Sequence, residues 1–596
     1  MSKPRVIDLK DQSETNMQNK YEKIMDLAKK RGLFWPSFEA YGGIAGFYDF
    51  GPVGVLLKRN IMNLWLRYFV YTQAQVIEIE TPLINPSIVF KASGHEEHFT
   101  DPIIECSKCH KIYRADHLIK DVIGINVEGL NLSEIDRTIK EHNLKCPECG
   151  GDFNPAFYTQ LLFITEIGPY RGDRAYLRPE HAQGMFINFQ SVLRFSRNKL
   201  PVGVAQVGKV ARNEISPRQG LLRLREFNIM ELEFFFDPEE AEKEIQEVLS
   251  DVAEEKLRVI FAGSRVKKIE EPQVLAVKEL IENKLVKTPW LAYWMGVGNK
   301  FIKSLGIQDD KIRFVEKFPH ERAHYSMQTF DQEVYTSRFG WIEIAGYAYR
   351  TSYDLEQHAK YSEGDYTYFK RYDEPLTVHI ERAYPNPTLI ERNVGSEKLA
   401  EIMRQLSMRS PEDLYKELES RGYVAVMGIN LPSECFFVRK EETKLYGKKI
   451  YPHVAEPSFG LERLLYVVLD HSYDEREGKS VLKVPPYIAP YHAAVFPLLV
   501  GKKPEHQKMV SISREIYRGL LKCGFRVFYD EEGSIGRRYA RADEIGVPFA
   551  ITVDHQTLED STVTVRDRNT TQQIRVKTSE LEAFLMSHIG NVAIIY

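Results

Sequence analysis

The sequence has few cysteines, little net charge and no long apolar run, and each shortage excludes a class of protein. Six cysteines in 596 residues are too few for the disulfide scaffold of a small secreted domain. No apolar run reaches the length of a membrane span. The first 20 residues are polar and lack the apolar stretch of a signal peptide. We therefore expect a cytoplasmic protein without a membrane partner.

Charge and composition indicate a soluble globular chain. Lys and Arg number 80 against 84 Asp and Glu, so the net charge is only −4. Any nucleic-acid partner must then be held by local basic patches rather than by the whole surface. Hydrophobic residues make up 43% and charged residues 28% of the chain, which is typical of a protein with a sizeable core. This length predicts about two to four domains.

One segment, residues 204–236, has the pattern of a long β-hairpin. Its first arm alternates, which puts Arg212 and Glu214 on one face. On its second arm Arg223, Phe227 and Glu231 share a face. The loop between the arms contains Ser, Pro and Gly, which form turns. Charges on a strand between apolar neighbours need a partner that satisfies them.

This set of side chains suits a bound nucleotide. The planar guanidinium of Arg212 matches a phosphate, and Glu214 can accept a hydrogen bond from an exocyclic amine such as adenine N6. Phe227 offers a flat surface for a purine, with Arg223 nearby. A hairpin with a cross-strand ladder of salt bridges is the alternative that the pattern leaves open.

Four cysteines form two C-x-x-C pairs, Cys106 with Cys109 and Cys146 with Cys149. Two such pairs predict a tetrahedral Cys₄ zinc site. Its role is structural, because four thiolates leave no open position for a substrate. The 36 residues between the pairs exceed the usual ribbon spacing, so we expect a small helical insertion around residues 132–141. Two reduced or disulfide-linked pairs are the alternative.

Three segments, in order along the chain, resemble motifs of one enzyme class. Residues 212–227, RNEISPRQGLLRLREF, resemble motif 2 of the class II aminoacyl-tRNA synthetases, and residues 452–466, PHVAEPSFGLERLLY, resemble motif 3. Residues 41–54, YGGIAGFYDFGPVG, are similar to the opening of glycyl-tRNA synthetases of the archaeal and eukaryotic dimeric type. A helix over 53–71 and a strand over 75–82 resemble motif 1, which builds the dimer interface in this class. An ordinary core helix packed within one chain is the alternative.

The resemblance covers the chain from about residue 20 onwards and implies an α+β fold. It predicts a class II catalytic domain, with an antiparallel sheet and helices, over residues 1–105, 150–236 and 323–485. Residues 106–149 are expected to form the zinc-binding insertion, residues 237–322 an insertion domain, and residues 355–445 a second insertion within the catalytic domain. Residues 486–596 alternate strands with helices, which predicts a mostly parallel sheet, and they resemble the α/β anticodon-binding domain.

The resemblance also implies site residues. Those expected to have a catalytic role are Arg212, Glu214 and Arg463. Those expected to bind ATP are Arg212, Asn213, Glu214, Arg223, Leu224, Phe227, Glu343, Ile344 and Arg463, with Glu343 also holding Mg²⁺ through ATP. Those expected to bind glycine are Glu180, Glu231, Glu456, Pro457, Ser458 and Arg350.

The implied activity is ATP-dependent attachment of glycine to tRNA-Gly through glycyl-adenylate, by a cytoplasmic homodimer that uses Mg²⁺ and a structural Zn²⁺. Three carboxylates and the Ser458 hydroxyl suit the ammonium group of a small amino acid. Larger residues are excluded by steric contact, so no editing site is needed.

Two alternatives belong to other classes. One is a prolyl- or other class IIa tRNA ligase, against which the run over residues 41–54 and the acidic residues argue. The other is a catalytically inactive, synthetase-like subunit that binds nucleic acid. Intact Arg212, Glu214, Glu343 and Arg463 argue against that alternative.

Overall fold

The computed structural model describes residues 9–590 apart from residues 126, 128, 216 and 218, and for residues 9–19 it describes the backbone alone. The first eight residues of the polar N-terminus, on which the absence of a signal peptide was argued, lie outside the described residues. Residues Thr367–Tyr451 form a compact unit of their own, and the rest of the described chain forms the other.

A nine-stranded, mainly antiparallel sheet organises the larger unit. The hairpin expected over residues 204–236 is present, with Gln206 opposite Glu231 in the pairing. Its strands are Val202–Ala211 and Glu226–Phe236, so Arg212, Glu214 and Arg223, expected on its arms, lie in the loop between them. Two pairs of adjacent strands are parallel, one at an edge of the sheet and one within it. In spatial order the strands are Gln273–Ala276, Lys256–Ile260, Ile312–Glu316, Gln328–Thr336, Gly340–Thr351, His453–Gly460, Glu226–Phe236, Val202–Ala211 and Val76–Glu78.

Three apolar helices cover one face of this sheet. They are Pro52–Leu66, Pro289–Ser304 and Leu461–Ser472, and their buried side chains join one cluster with Met230, Leu232 and Phe234 of the hairpin. Successive side chains of a strand point to opposite faces. Glu231 and Glu233 therefore lie on the face that these helices leave open, where the site is built.

Residues 237–322 belong to this sheet, which differs from the expected insertion domain. They supply three of its strands and the helix Pro289–Ser304, together with the short helices Ala241–Glu244, Ala262–Val266 and Val277–Glu282. The many Lys and Glu residues of the segment predict an exposed surface. Leu257, Val259 and Phe314 alternate with them and are fully buried, so the segment packs into the main core.

Smaller elements frame the open face. A three-stranded sheet is formed by Ile84–Pro86, Asp173–Leu177 and Phe163–Ile167. At the N-terminus the helix Leu9–Lys30 precedes the paired strands Phe34–Pro36 and Tyr48–Phe50. The other helices of this region are Ser87–Ala92, His95–His98, Ala182–Ile187, Phe189–Phe195 and Tyr353–Tyr361.

The cysteine pairs lie in a small module with its own core. Strand Thr100–Glu105 pairs with Ile112–Arg114 on one side and Phe157–Gln160 on the other. Helices Ala115–Ile123 and Leu132–Glu141 pack beside them. The second helix falls where the sequence predicts one, and Asn131 caps it in a capping box. The module extends beyond the expected limits of 106–149, because its strands flank the cysteines.

The unit Thr367–Tyr451 contains two long antiparallel strands, Tyr368–Pro385 and Phe436–Ile450. It adds the hairpin Tyr423–Val426 and Ile429–Pro432, and the helices Pro387–Val394, Ser396–Ser407 and Pro411–Arg421. Its limits lie later in the chain than the expected 355–445, because the helix Tyr353–Tyr361 buries Leu355 in the larger unit.

The C-terminal region has the expected α/β pattern. Strands Val527–Tyr529, Ala493–Pro497 and Phe549–Val553 are parallel neighbours, and Thr562–Asp567 and Gln573–Lys577 extend the sheet antiparallel. Its helices are Pro504–Lys522, Ile535–Glu544, Thr557–Asp560 and Leu581–Ile589, and the hairpin Tyr473–Arg476 and Lys479–Leu482 precedes it.

Candidate active site

One pocket of about 290 Å³ lies on the open face of the nine-stranded sheet. Strand residues such as Glu231 and Glu456 line it together with loop residues, among them Arg212, Glu214 and Arg223. Twelve of the residues expected from the sequence line it: Glu180, Arg212, Glu214, Arg223, Leu224, Phe227, Glu231, Glu343, Ile344, Glu456, Ser458 and Arg463.

Three expected residues do not line the pocket. Asn213 follows the hairpin strand, and its backbone N–H donates to Leu161. Pro457 is buried between Glu456 and Ser458, and strand alternation puts it on the opposite face. Arg350 is 0% exposed and bonds to acidic side chains behind the pocket, which differs from the direct glycine contact expected of it.

The cationic half of the pocket is formed by Arg212 and Arg463. Arg212 Nε donates to the Pro179 carbonyl at 3.0 Å, and its guanidinium lies 5.5 Å from the Phe227 ring and 5.6 Å from the Phe99 ring. Arg463 donates to the carbonyls of Leu222 at 3.1 Å and Glu343 at 3.0 Å. Two guanidiniums held by backbone carbonyls are pre-positioned for an anion.

Acidic groups stand beside these cations. Arg463 Nη1 lies 3.6 Å from Glu343 Oε2, and Lys317 Nζ lies 3.1 Å from Asp331 Oδ2. Burial acts to raise the pKa of Glu343, but Arg463, Lys317 and Arg212 outweigh it and lower that pKa. Burial and the Glu343 carboxylate raise the pKa of Asp331 to about 7. Neighbouring carboxylates of this kind suit a hard divalent cation.

At the far end of the same half, Arg223 holds Glu214. Arg223 Nε donates to Glu214 Oε2 at 2.6 Å. Leu224 and Phe227 line the adjoining wall. The salt bridge that the sequence leaves open as an alternative is therefore present between these two residues.

The acidic half centres on Glu231. Its carboxylate accepts hydrogen bonds from the His181 backbone N–H at 2.6 Å and from Ser458 Oγ at 2.8 Å. Burial and the carboxylates of Glu456 and Glu180 raise its pKa to about 8 despite these donors. Without a cation the group therefore keeps a proton near neutral pH.

Glu180 lies beside Glu231, but its surroundings shift its pKa in the opposite direction. Three groups approach its Oε1 atom: Gln183 Nε2 at 2.9 Å, His95 Nε2 at 3.4 Å and Arg350 Nη2 at 3.8 Å. Burial acts to raise the pKa of Glu180, but His95, Arg350 and Gln183 lower it well below its usual range. Its surroundings therefore favour the ionised form of Glu180.

Behind these residues, Arg350 forms a fully buried ion-pair network. It donates to both carboxylate oxygens of Asp354 at 2.9 Å and to Glu456 Oε2 at 2.9 Å. The Tyr325 ring lies 3.6 Å from its guanidinium carbon. Burial raises the pKa of Glu456, and Arg350 partly offsets this. Arg350 thus fixes Glu456 from behind.

Sequence reasoning missed four residues of this network: His95, Gln183, Tyr325 and Asp354. Gln183 links two carboxylates, because its Nε2 lies 2.9 Å from Glu180 and 3.1 Å from Asp354. These residues come from four separate elements, so no spacing in the chain predicts their meeting. Asp354 lies four residues after Arg350, but Arg350 belongs to a strand and Asp354 to the helix that follows it, so this spacing is not that of a helical pair.

The four cysteines of the module converge. Their Sγ atoms all lie within 4.8 Å of one another. A Cβ at Gly151 would lie 3.1 Å from Cys106 Sγ and 3.3 Å from Cys149 Sγ, so this knuckle has no room for a side chain there. The cluster can hold a metal ion, and its all-thiol donor set fits zinc. Among the described residues, no helix is long and apolar enough to cross a bilayer.

Comparison with protein families agrees with this architecture. Residues 165–472 match the family described as tRNA synthetase class II core domain (G, H, P, S and T), and residues 492–588 match the family described as Anticodon binding domain. The first match contains most of the pocket, and the second coincides with the C-terminal sheet. The fold and the pocket together define a class II aminoacyl-tRNA synthetase.

Similar curated proteins show which family within this class the chain belongs to. A glycine–tRNA ligase of Aeropyrum pernix is 48% identical over 94% of this chain and 95% of its own length. One from Pyrococcus horikoshii is 47% identical over 94% and 97%, and one from Methanocaldococcus jannaschii is 42% identical over 96% and 99%. The chain belongs to the glycine–tRNA ligase family, and the expected family and fold class are confirmed.

A solved structure shares the fold. A prolyl-tRNA synthetase from Giardia lamblia in complex with prolyl-adenylate matches with a TM-score of 0.52, and the match covers 97% of this chain and 81% of that one. The two are 15% identical, so this similarity concerns the fold alone.

Proposed function

We propose that this chain attaches glycine to tRNA in two steps, through a glycyl-adenylate formed in the pocket. One observation carries the proposal: a single cavity joins a cationic, aromatic half to an acidic half. In the first step the glycine carboxylate attacks the α-phosphate of ATP and pyrophosphate leaves. In the second step the glycyl group moves to a hydroxyl of the terminal adenosine of tRNA.

The cationic half binds ATP in this proposal. Phosphoryl transfer needs mainly positioning and neutralisation of charge. Arg212 and Arg463, anchored on carbonyls, would bind the phosphates, and Phe227 would support the adenine. Glu343 and Asp331 would hold Mg²⁺, which supplies further neutralisation of the phosphate charge.

The acidic half selects glycine. The ammonium group would lie among Glu180, Glu231, Glu456 and Ser458. Its positive charge would offset the repulsion from neighbouring carboxylates that raises the pKa of Glu231. Gln183 and Arg350 fix the two outer carboxylates, Glu180 and Glu456. Fixed, buried walls leave little room for a side chain on the substrate, so size alone excludes larger amino acids.

The test is ATP–pyrophosphate exchange with each common amino acid, followed by transfer to total tRNA. Glycine alone should support exchange, and tRNA-Gly alone should accept it. Exchange with proline in place of glycine would favour the alternative tRNA ligase. Nucleic-acid binding without any exchange would favour the inactive subunit.

We propose that the Cys₄ cluster holds a structural Zn²⁺. The convergence of four free cysteines supports zinc, and free thiols suit the reducing cytoplasm, where we place the protein. Metal analysis of the purified protein should give one zinc per chain. A Cys146→Ser variant should lose that zinc, and a protein that folds without any metal would contradict the assignment.

We also propose a homodimer built on the free edge of the nine-stranded sheet. The edge strand Val76–Glu78 pairs with another strand of the sheet on one side only. Proteins normally cover or protect such an exposed strand edge. Beside it lies an apolar hollow of about 470 Å³ with Tyr71 59% and Phe195 74% exposed. Light scattering should give twice the chain mass, and Phe195→Glu should shift it to monomer. A wild-type monomer at micromolar concentration would reject the dimer.

A further inference from the structure

Two strands of the cysteine module reach from the Cys₄ cluster to the pocket. Strand Thr100–Glu105 ends just before Cys106, and strand Ile112–Arg114 begins shortly after Cys109. They pair directly, with Ile103 opposite Arg114. Each strand therefore has one end beside the cysteines and the other end beside a group of charged side chains.

At that end, side chains of the module contact a residue of the pocket. Arg223 Nη1 lies 3.2 Å from His117 Nδ1, and Arg223 Nη2 lies 3.5 Å from Asp101 Oδ2. Arg223 also donates to Glu214. Arg223 lies in the hairpin, but two of these three partners come from the module.

A second arginine, Arg114, holds Asp101 within the module. Arg114 Nη1 donates to Asp101 Oδ2 at 2.9 Å, and Arg114 Nε donates to Asp116 at 2.8 Å. Asp101 therefore bridges one arginine of the module and one of the pocket. The side chains of Asp101 and Arg223 are only 9% and 13% exposed, so solvent screens this bridge weakly.

We infer that Asp101 and His117 are positioning residues for ATP, which act by holding Arg223 at the adenine end of the pocket. Glu214 shares this task, because it accepts a hydrogen bond from Arg223. When Glu214 turns to the exocyclic amine of a nucleotide, Arg223 loses one partner and stays in place through His117 and Asp101. The cysteine module thus supports the nucleotide end of the site. This inference rests on the proposed binding of ATP in the pocket.

The variants separate this role from simple stability. His117→Ala removes the acceptor for Arg223, whereas His117→Asn can offer its amide oxygen near the Nδ1 position. Asp101→Asn keeps the shape and removes the charge that both arginines share. Asp152→Asn is the matched control, because Asp152 lies in the same module, is 76% exposed and pairs with Lys145.

The experiment measures ATP affinity by calorimetry without turnover, the KM for glycine in pyrophosphate exchange, and the melting temperature. His117→Ala and Asp101→Asn should each weaken ATP binding about tenfold and leave the glycine KM within about twofold. His117→Asn should recover most of the affinity, and Asp152→Asn should match the wild type.

Either of two results would overturn the inference: unchanged ATP affinity in folded His117→Ala and Asp101→Asn, or an equal rise in the glycine KM, which indicates a general disturbance. If Asp101→Asn does not fold, the comparison of His117→Ala with His117→Asn decides, because the His117 ring is only partly buried. A wild-type protein that binds no ATP would instead reject the proposed function itself.

Discussion

At the scale of single residues, the pocket gives different pKa values to two glutamates that the sequence alone does not distinguish. Glu180 and Glu231 are both buried. Donors around Glu180 lower its pKa, whereas neighbouring acids raise the pKa of Glu231 to about 8. The surroundings thus favour the ionised form of Glu180 and the protonated form of Glu231.

Glu231→Gln should raise the glycine KM about tenfold or more, because a charge-assisted hydrogen bond of about 1.5–3 kcal/mol is lost, while ATP affinity stays unchanged. The raised pKa means that the folded protein binds more protons than the unfolded chain between the ordinary value of 4.5 and about 8. The contribution of Glu231 to stability therefore falls as pH rises through this window.

Glutamine does not ionise, so Glu231→Gln should melt at a higher temperature than the wild type at pH 8 and at a similar temperature near pH 4. Thermal melts at both pH values and a glycine titration check this. An unchanged glycine titration would remove Glu231 from the site.

Arg212→Ala should reduce glycine-dependent pyrophosphate exchange about 100-fold or more, because a preorganised cation at the phosphates is lost. The melting temperature should stay close to that of the wild type, since the side chain is only partly buried. Lys209→Ala is the control, three residues earlier in the chain: its pair with Glu226 is exposed, so exchange should persist. Normal exchange in Arg212→Ala would refute the assignment.

At the scale of elements, the helix Pro289–Ser304 explains why one glycine matters to the sheet beneath it. A Cβ on Gly298 would lie 1.7 Å from the hydroxyl of Tyr347. That hydroxyl donates to Gln332 at 2.8 Å in the buried core. The helix can approach the strand Gly340–Thr351 this closely only without a side chain at position 298.

Gly298→Ala should lower the free energy of unfolding by about 1–3 kcal/mol through overpacking. Gly519→Ala provides the matched comparison: Gly519 lies within the helix Pro504–Lys522, and a Cβ there meets nothing within 4 Å. It should stabilise by about 0.5–1 kcal/mol, the usual cost of a helical glycine. Chemical denaturation of both variants measures this, and equal stabilities would show that the helix can shift.

At the scale of the whole molecule, the compact unit Thr367–Tyr451 begins and ends at neighbouring positions. Tyr368 pairs with Ile450 at the base of its two long strands. The unit buries its own core, which includes Ile390, Ile402 and Leu431. Its removal therefore leaves chain ends that a short linker can join.

A chain in which residues 367–451 are replaced by a short Gly-Ser linker should keep pyrophosphate exchange within about threefold, because the residues that line the pocket lie outside this unit. Transfer of glycine to tRNA should fall more strongly if the basic strands of the unit touch tRNA. Measuring both steps on one preparation separates these effects. Loss of exchange in a folded deletion variant would show that the pocket depends on this unit.

The sequence by itself determined the period-two hairpin over residues 204–236, the helix near residues 132–141 and most of the pocket lining. These features are local: alternation puts Glu231 on a defined face, and motif spacing puts Arg463 early in its helix. Charge-rich composition misled at residues 237–322, because exposed Lys and Glu residues alternate there with buried Leu257 and Val259.

Only the tertiary structure decided which groups meet. Arg350 follows a strand pattern that the sequence shows, but only the folded chain brings it into contact with Glu456 and Asp354. His95 and His117 carry no local signal, and each matters through a carboxylate or guanidinium distant in the chain. The pKa of a buried acid depends on such neighbours and on desolvation, and both exist only after the chain has folded.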